Sequence, residues 1–338
     1  MDSLTQIVLG AAVGEAVLGK KIGSRAMLWG AIAGTIPDLD VFLKYFVDDI
    51  TSTEMHRGFS HSIAFSLIFA PILAWIALKI HKRRDATRRD WTWLFFLSLV
   101  THPLLDMHTT WGTQFFWPFE VRITYKNIFV VDPLYTIPFL ICVIIALCYK
   151  RSNPWRRVFN YAGIFISTSY MALTFAFKWF GYQAFEQGLE KQDIAYVEMD
   201  TKPTPLNSVL WNAQVETKDG YRFAYYSIFD SQEEITFSHE FQKNHHLLNP
   251  IKDQHVVKQI LKIADGWYVV DKDTTNDHLI FTDLRFGQFG MDQDNAPFMW
   301  KYDISIDAKG KATVKRLQPS IDNMGEVFSE LWERMKGN

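Results

Sequence analysis

Cysteine is scarce: the chain has two, Cys142 and Cys148, among 338 residues. Both fall in one apolar run where helical geometry keeps them from bridging each other, so a disulfide-stapled scaffold is excluded. A basic leader is also lacking. No Lys or Arg precedes the first apolar run, which itself carries Glu15, so no cleavable signal peptide is expected. Net charge is small too, at -2, but that value hides a division. Residues 1–180 carry 18 Lys+Arg against 12 Asp+Glu, and residues 181–338 carry 17 against 25. The second part therefore lacks the basic face that nucleic-acid binding needs, and no nucleic-acid partner is expected. Hydrophobic residues make up 48% of the chain, which excludes a disordered one. Nearly all the long apolar runs lie before residue 181, which excludes a single soluble globule.

Four of those runs approach the roughly 20 residues that a membrane helix needs: 62–80, 91–108, 133–149 and 158–180. Two weaker runs, 4–18 and 26–36, precede them. Gly10 and Gly14 give the first a face of small residues suited to close helix packing. Cations alternate between the loops. Lys20, Lys21 and Arg25 follow the first run, Lys82, Arg83, Arg84, Arg88 and Arg89 the third, and Lys150, Arg151, Arg156 and Arg157 the fifth. The positive-inside rule puts those three loops in the cytoplasm, with the N-terminus and everything after Phe180 outside. Residues 1–182 thus read as a polytopic α-helical membrane bundle of about six helices, some short or broken. Pro37 breaks the second run early, and irregular polar backbone at that depth is tolerated where it lines a wet cavity. A pocket open to the outer face is expected there.

Ionisable residues near membrane spans are costly and usually functional. Here they gather at the predicted outer ends: Asp38 and Asp40 after Pro37, His56-Arg57-Gly58-Phe59-Ser60-His61-Ser62, His102 with Asp106, and Asp132 before Pro133. His102 and Asp106 are one helical turn apart and share a face. Gly58 permits a tight turn between His56 and His61, and Ser60 or Ser62 can cap the helix that follows. Singly, each pair has an ordinary reading as a hydrogen-bonded pair or a turn signal. Together, mixed imidazole and carboxylate ligands suit zinc, and less specifically manganese or iron. Asp38, Asp40, His56, His61, His102, Asp106 and Asp132 exceed what one tetrahedral ion uses, so two or three ions are expected. Arg57 is placed to clamp an anion. Asp2, Glu15 and His108 have weaker claims on the site, and Trp111, Phe115, Phe116, Trp117 and Phe119 read as an interfacial aromatic belt.

The strings from Pro37 to Asp40, from His56 to Ser62 and from His102 to Asp106, with Trp117-Pro118 downstream, resemble the YdjM-like family of inner-membrane proteins. The resemblance covers roughly residues 1–180. It implies a metal-dependent hydrolase, distantly similar to zinc-dependent phospholipase C and the fungal zinc nucleases. It also implies Asp38, Asp40, His56, His61, His102 and Asp106 as ligands, with Asp132 added. One departure stands out: many relatives carry a histidine near the N-terminus where this chain has Gln6.

After Phe180 the pattern becomes short alternating segments. Residues 195–199, 209–215, 223–229, 267–270, 279–282 and 299–306 read as strands, with a hairpin turn at Asp219-Gly220. Residues 253–264 and 321–335 read as amphipathic helices, the second capped from Ser320 or Asp322. Residues 190–338 are therefore expected to form a soluble extracytoplasmic α+β domain, mainly an antiparallel sheet, acting as a lid or substrate selector. His239, His245 and His246 read as surface residues. The whole reads as a bacterial inner-membrane, metal-dependent hydrolase in which metal-activated water attacks an ester or phosphoester. Membrane lipids, or a lipid-linked phosphoester substrate, are its expected partners, and no protein partner is identifiable. The competing readings are a proton- or ion-coupled transporter using the same Asp/His cluster, and a membrane scaffold with an outer partner-binding domain.

Overall fold

The computed structural model describes residues 1–81, 85–231, 234–273, 276, 278–318 and 324–337. The chain divides into a helical unit (Met1–Leu43, Met55–Ala176 and Pro205–Ser208) and a second unit (Lys44–Glu54, Phe177–Thr204 and Val209–Asn338).

Helix α1, Ser3–Ile22, starts where Asp2 accepts the Thr5 amide at 3.0 Å, and ends at Gly23 with φ +64°. Helix α2, Ser24–Thr35, follows at once. The two backbones nearly touch: a Cβ on Gly10 would lie 2.2 Å from the Gly30 carbonyl oxygen, and one on Gly30 2.1 Å from that of Gly10. Only glycine fits at such a crossing. Pro37 then ends α2, and after a 44° bend the chain continues as a 3₁₀ turn, Pro37–Tyr45. Short helix α3, Asp49–Met55, belongs mostly to the second unit, where its Glu54 pairs with Lys262 at 3.0 Å. Helix α4, Ile63–Ile80, is capped by Ser62, which accepts the Phe65 amide at 3.0 Å. Helix α5, Arg88–Asp106, opens with a reciprocal Thr87–Asp90 capping box. Helix α6, Pro133–Cys148, starts from Asp132, with Pro133 in the first turn. Helix α7, Pro154–Lys191, runs unbroken through residues 182–190 and supplies both units.

Among the described residues α4 is the one helix long and apolar enough to cross a membrane by itself; α2 with its bent 3₁₀ continuation passes as a pair, and α6 is apolar but shorter. The other runs read as spans fall short for visible reasons: α5 begins Arg88-Arg89-Asp90 and ends with His102 and Asp106, while α1 holds Glu15, Lys20 and Lys21. The helical unit buries Trp91, Leu94, Phe95 and Leu99 of α5 against Leu18 of α1 and Ala70, Ala74 and Ala77 of α4. Its outer faces remain apolar, with Leu67, Ile68, Ile72 and Trp75 on α4 and Ile137, Ile141, Ile144 and Leu147 on α6 all exposed. Lys21 pairs with Asp90 at 2.6 Å and Arg151 donates to the Lys21 carbonyl at 2.5 Å, so the start of α5 and the α1–α2 and α6–α7 connections share one end. Just inside that end, buried Glu15 of α1 takes a two-pronged ion pair from buried Arg156 of α7, both contacts at 2.7 Å.

The second unit holds two four-stranded antiparallel sheets. One orders β1 (Glu198–Pro203), β2 (Leu210–Glu216), β3 (Gly220–Ser227) and β4 (Phe241–Gln242); the other β5 (Tyr268–Lys272), β6 (Leu279–Gln288), β7 (Phe298–Ile306) and β8 (Ala312–Leu317). The expected turn at Asp219-Gly220 joins β2 to β3, with Glu216 opposite Tyr221. The short β4 and the half-exposed β8 carry too little apolar alternation to read from sequence, and β6 runs past residue 282 through an irregularity between Asp283 and Gln288. Helix α8, His255–Ala264, lies within the expected range; α9 spans Met324–Met335, and its expected caps, Ser320 and Asp322, lie outside the described residues, as do Lys82, Arg83 and Arg84. Burial of the α+β core centres on Trp211, Val215, Phe185 and Leu189.

Candidate metal centre

Three segments converge at one end of the helical unit. The turn after α2 brings Asp38. The loop before α4 brings His61, through a reversal in which Arg57 adopts φ +57° and the Gly58 amide donates to the Met55 carbonyl at 3.0 Å. The last turn of α5 brings His102 and Asp106 on one face.

Four atoms meet there. His61 Nε2 and His102 Nε2 are 3.2 Å apart. Asp38 Oδ1 lies 3.4 Å from both, and Asp106 Oδ2 lies 3.3 Å from His61 Nε2 and 3.4 Å from His102 Nε2. All four atoms lie within 4.8 Å of one another. Five of the six separations are thus 3.2–3.4 Å, and the sixth, Asp38 to Asp106, falls within 4.8 Å; corners 3.2–3.4 Å apart in a regular tetrahedron lie about 2.0–2.1 Å from its centre, the range of metal–nitrogen and metal–carboxylate bonds.

Hydrogen bonding decides what these atoms offer. His102 Nδ1 contacts the Gly34 carbonyl at 2.5 Å and must donate to it, leaving Nε2 with a lone pair facing the centre. Ser60 Oγ donates to Asp40 Oδ2 at 2.9 Å and so accepts from His61 Nδ1, also at 2.9 Å; His61 Nε2 likewise presents a lone pair. Asp106 Oδ1 accepts from Gln6 Nε2 at 3.1 Å and pairs with the Met1 amino group, whereas its Oδ2 is buried with no hydrogen-bond partner. Lone pairs of two imidazoles and two carboxylates thus face each other in a pocket where His61, His102 and Asp106 are wholly buried. Facing lone pairs of this kind are unfavourable when left to themselves; a bound cation would satisfy them. The residues present fit a metal ion.

The remaining residues read as site members occupy other places. Asp40 stands behind His61: its Oδ1 meets His56 Nδ1 at 2.9 Å, and its Oδ2 accepts from the Arg57 amide at 2.9 Å and from Ser60. His56 is therefore a partner of Asp40, outside the four-atom group. Arg57 Nε lies 3.2 Å from Asp106 Oδ2, and its Nη1 donates to Thr109 Oγ1 at 2.7 Å. Asp132 accepts the Leu134 and Tyr135 amides at 2.9 and 3.2 Å and the hydroxyls of Tyr170 and Ser208 at 2.9 and 2.8 Å. Asp2 caps α1, Glu15 pairs with Arg156, and His108 pairs with Asn127 at 2.9 Å. By sequence, Gln6 is only a departure from the relatives' histidine and Ser60 only a cap. In the structure one orients Asp106 and the other links Asp40 to His61, the outer-layer contacts that fix metal ligands.

An apolar helical unit enclosing a His/Asp group with metal-binding geometry defines the class: a membrane protein with a candidate metal centre. The chain belongs to the YdjM inner membrane protein family, whose model matches residues 1–182. It is 31% identical over 162 residues to the uncharacterized protein YfhP of Bacillus subtilis, a match covering 46% of this chain and about half (48%) of that relative. It is also 31% identical over 120 residues to the inner membrane protein YbcI of Escherichia coli, covering 35% of this chain and 67% of the relative. No solved structure matches the chain.

Proposed function

We propose that this protein is a polytopic membrane hydrolase that uses a divalent metal, zinc by preference, to hydrolyse an ester or phosphoester of a membrane lipid or lipid-linked substrate. The observation that carries the reading is the meeting of four ligand atoms from Asp38, His61, His102 and Asp106 in a largely buried group, five of their six separations being 3.2–3.4 Å. Two nitrogen and two oxygen donors suit four-coordinate zinc; manganese favours oxygen ligands, and iron held by two histidines and a carboxylate keeps further positions open. An ion bound there supplies Lewis acidity and brings water's pKa from 15.7 down to about 7.

The protein's own groups have separable tasks in this reading. Gly34 and Ser60 fix the two imidazole tautomers, Gln6 aims Asp106, and Asp40 with His56 holds Ser60 and the Arg57 turn. Arg57 places a cation beside the ligand carboxylate, where it can receive an anionic oxygen of the substrate. Asp132 is a helix cap and is assigned no chemical role.

A six-span arrangement of α1, α2, α4, α5, α6 and α7 is supported by the exposed apolar faces of α4 and α6. The basic connections around Lys21 and Arg151 meet the start of α5, and the four-atom group lies at its other end. With basic loops facing the cytoplasm, the metal centre opens outward. Its depth beside lipid motivates the lipid-derived substrate class. Elemental analysis of the detergent-solubilised full chain tests the reading, together with headgroup or phosphate release from phospholipid mixed micelles. Stoichiometric metal and turnover in wild type, both lost in His102→Ala, are expected. Wild type without a stoichiometric transition metal, or turnover indifferent to His102→Ala, overturns it.

A further inference from the structure

The four corners of the metal centre are held unequally. His102 is pinned through Nδ1 to the Gly34 carbonyl, His61 through Nδ1 to Ser60, and Asp106 through Oδ1 to Gln6 and the Met1 amino group. All three are wholly buried. Asp38 differs in each respect. Its side chain is 25% exposed, and among the described residues its contacts are the two imidazoles, with no backbone amide or outer hydroxyl bracing it. It is carried on the 3₁₀ turn beyond the 44° bend at Pro37, where neighbours Leu39 and Val41 are exposed, rather than on a packed helix.

A metal site closed by four protein ligands is the structural arrangement, and a catalytic site keeps three ligands and one position for water or substrate. We propose that Asp38 is an exchangeable fourth ligand: it closes the centre at rest and swings out to admit an anionic substrate oxygen. This inference rests on the hydrolase reading above and adds to it the residue that gates the ion. A carboxylate is displaced at no net change of charge by another singly charged oxygen donor, so a phosphate or phosphoester oxygen is the natural competitor. Arg57, beside Asp106 on the fixed side, is positioned to favour the incoming anion over a neutral one. The exchange forms and breaks only coordination contacts; no group is oxidised, reduced or transferred in it.

The full chain loaded with cobalt in detergent reports both ion uptake and coordination through its visible absorption. Wild type, Asp38→Ala, Asp38→Asn and His102→Ala are compared, with inorganic phosphate as the probe. Both Asp38 variants are expected to keep one ion, and His102→Ala to lose it. Phosphate is expected to perturb the cobalt spectrum of wild type and of both variants, and to bind the variants more tightly. If Asp38 occupies its corner nine-tenths of the time, removing it tightens apparent phosphate affinity about tenfold. Loss of cobalt from Asp38→Asn as complete as from His102→Ala overturns the exchangeable role, as does phosphate affinity in the variants equal to or weaker than in wild type. Those outcomes leave the hydrolase reading standing. Wild type that takes up no cobalt removes both.

Discussion

The ion pair between Glu15 and Arg156 offers a test of the helical unit that needs no knowledge of the reaction. Glu15 is 4% exposed and Arg156 2%, and the guanidinium meets both carboxylate oxygens at 2.7 Å. Arg156 also donates to the Tyr149 carbonyl at 3.0 Å and contacts Ser24 Oγ at 3.2 Å, so one side chain ties α1, α2 and the end of α6 to α7. Glu15→Gln preserves shape but strands a buried guanidinium that cannot neutralise itself. Breaking such a pair costs about 3–5 kcal/mol, or roughly 10²- to 4 × 10³-fold in the folding equilibrium. The pair itself need not stabilise, because its desolvation offsets most of its attraction. The double substitution Glu15→Met with Arg156→Met is therefore expected to lose less stability than Glu15→Gln alone. Gly19→Ala is a third perturbation: its Cβ would sit 2.3 Å from the Glu15 carboxyl carbon, pushing the acid off its partner without changing any charge. Reversible unfolding in mixed micelles measures all four proteins. A double substitution that loses as much stability as Glu15→Gln alone, or more, would refute the buried-pair account.

Three further outcomes are expected. Asp132→Ala removes the α6 cap and the carboxylate that the Tyr170 and Ser208 hydroxyls share, so it should cost about 1–2 kcal/mol of stability while leaving metal content at the wild-type level; metal lost in a folded variant would show that Asp132 is a ligand after all. Asp40→Ala and Ser60→Ala should each weaken metal affinity about 10–100-fold without changing stoichiometry, as outer-layer contacts do, and competition with a chelator of known affinity measures it. In the second unit, burial holds the His245 pKa below its ordinary 6.5, its ring stacking on Tyr268 at 3.9 Å, and outweighs the opposite effect of the hydrogen bond that Nε2 donates to the Tyr268 carbonyl at 2.8 Å. The unfolded chain therefore takes up the proton first, and stability should fall as pH drops below about 6.5. His245→Phe should flatten that decline in denaturation midpoints between pH 7.5 and 5.5; an unchanged slope would count against it.

How far the site could be read from sequence depends on scale. The break at Pro37, the small-residue face of α1, and the shared face of His102 and Asp106 are local consequences of residue type, and each is where spacing places it. What spacing could not separate is which member of each pair points inward. Asp38 and Asp40 are two residues apart, and on a 3₁₀ turn with three residues per turn they diverge by about 240°; one faces the Nε2 atoms and the other the Nδ1 side. His56 and His61 look equivalent in the string, but the positive φ at Arg57 aims them apart. Asp132 illustrates the opposite case: Asp followed by Pro is itself a helix-start signature, and the ligand reading overlooked that local explanation. In the second unit, the hairpin at Asp219-Gly220 was legible from turn chemistry. Strand β8 was not, because its sequence Ala-Thr-Val-Lys-Arg-Leu sits half exposed and resembles a solvated loop.

The spacing of the four converging residues has a thermodynamic corollary. His61 and His102 are 41 positions apart, and their facing nitrogens come together only once the loop before α4 and the end of α5 have docked. An unfolded chain offers an ion only scattered side chains, so most of the free energy of loading an ion there would appear as resistance to denaturation. A melting curve recorded with and without added metal therefore doubles as a titration. Through it, the preferred ion can be ranked against its rivals before any substrate is in hand.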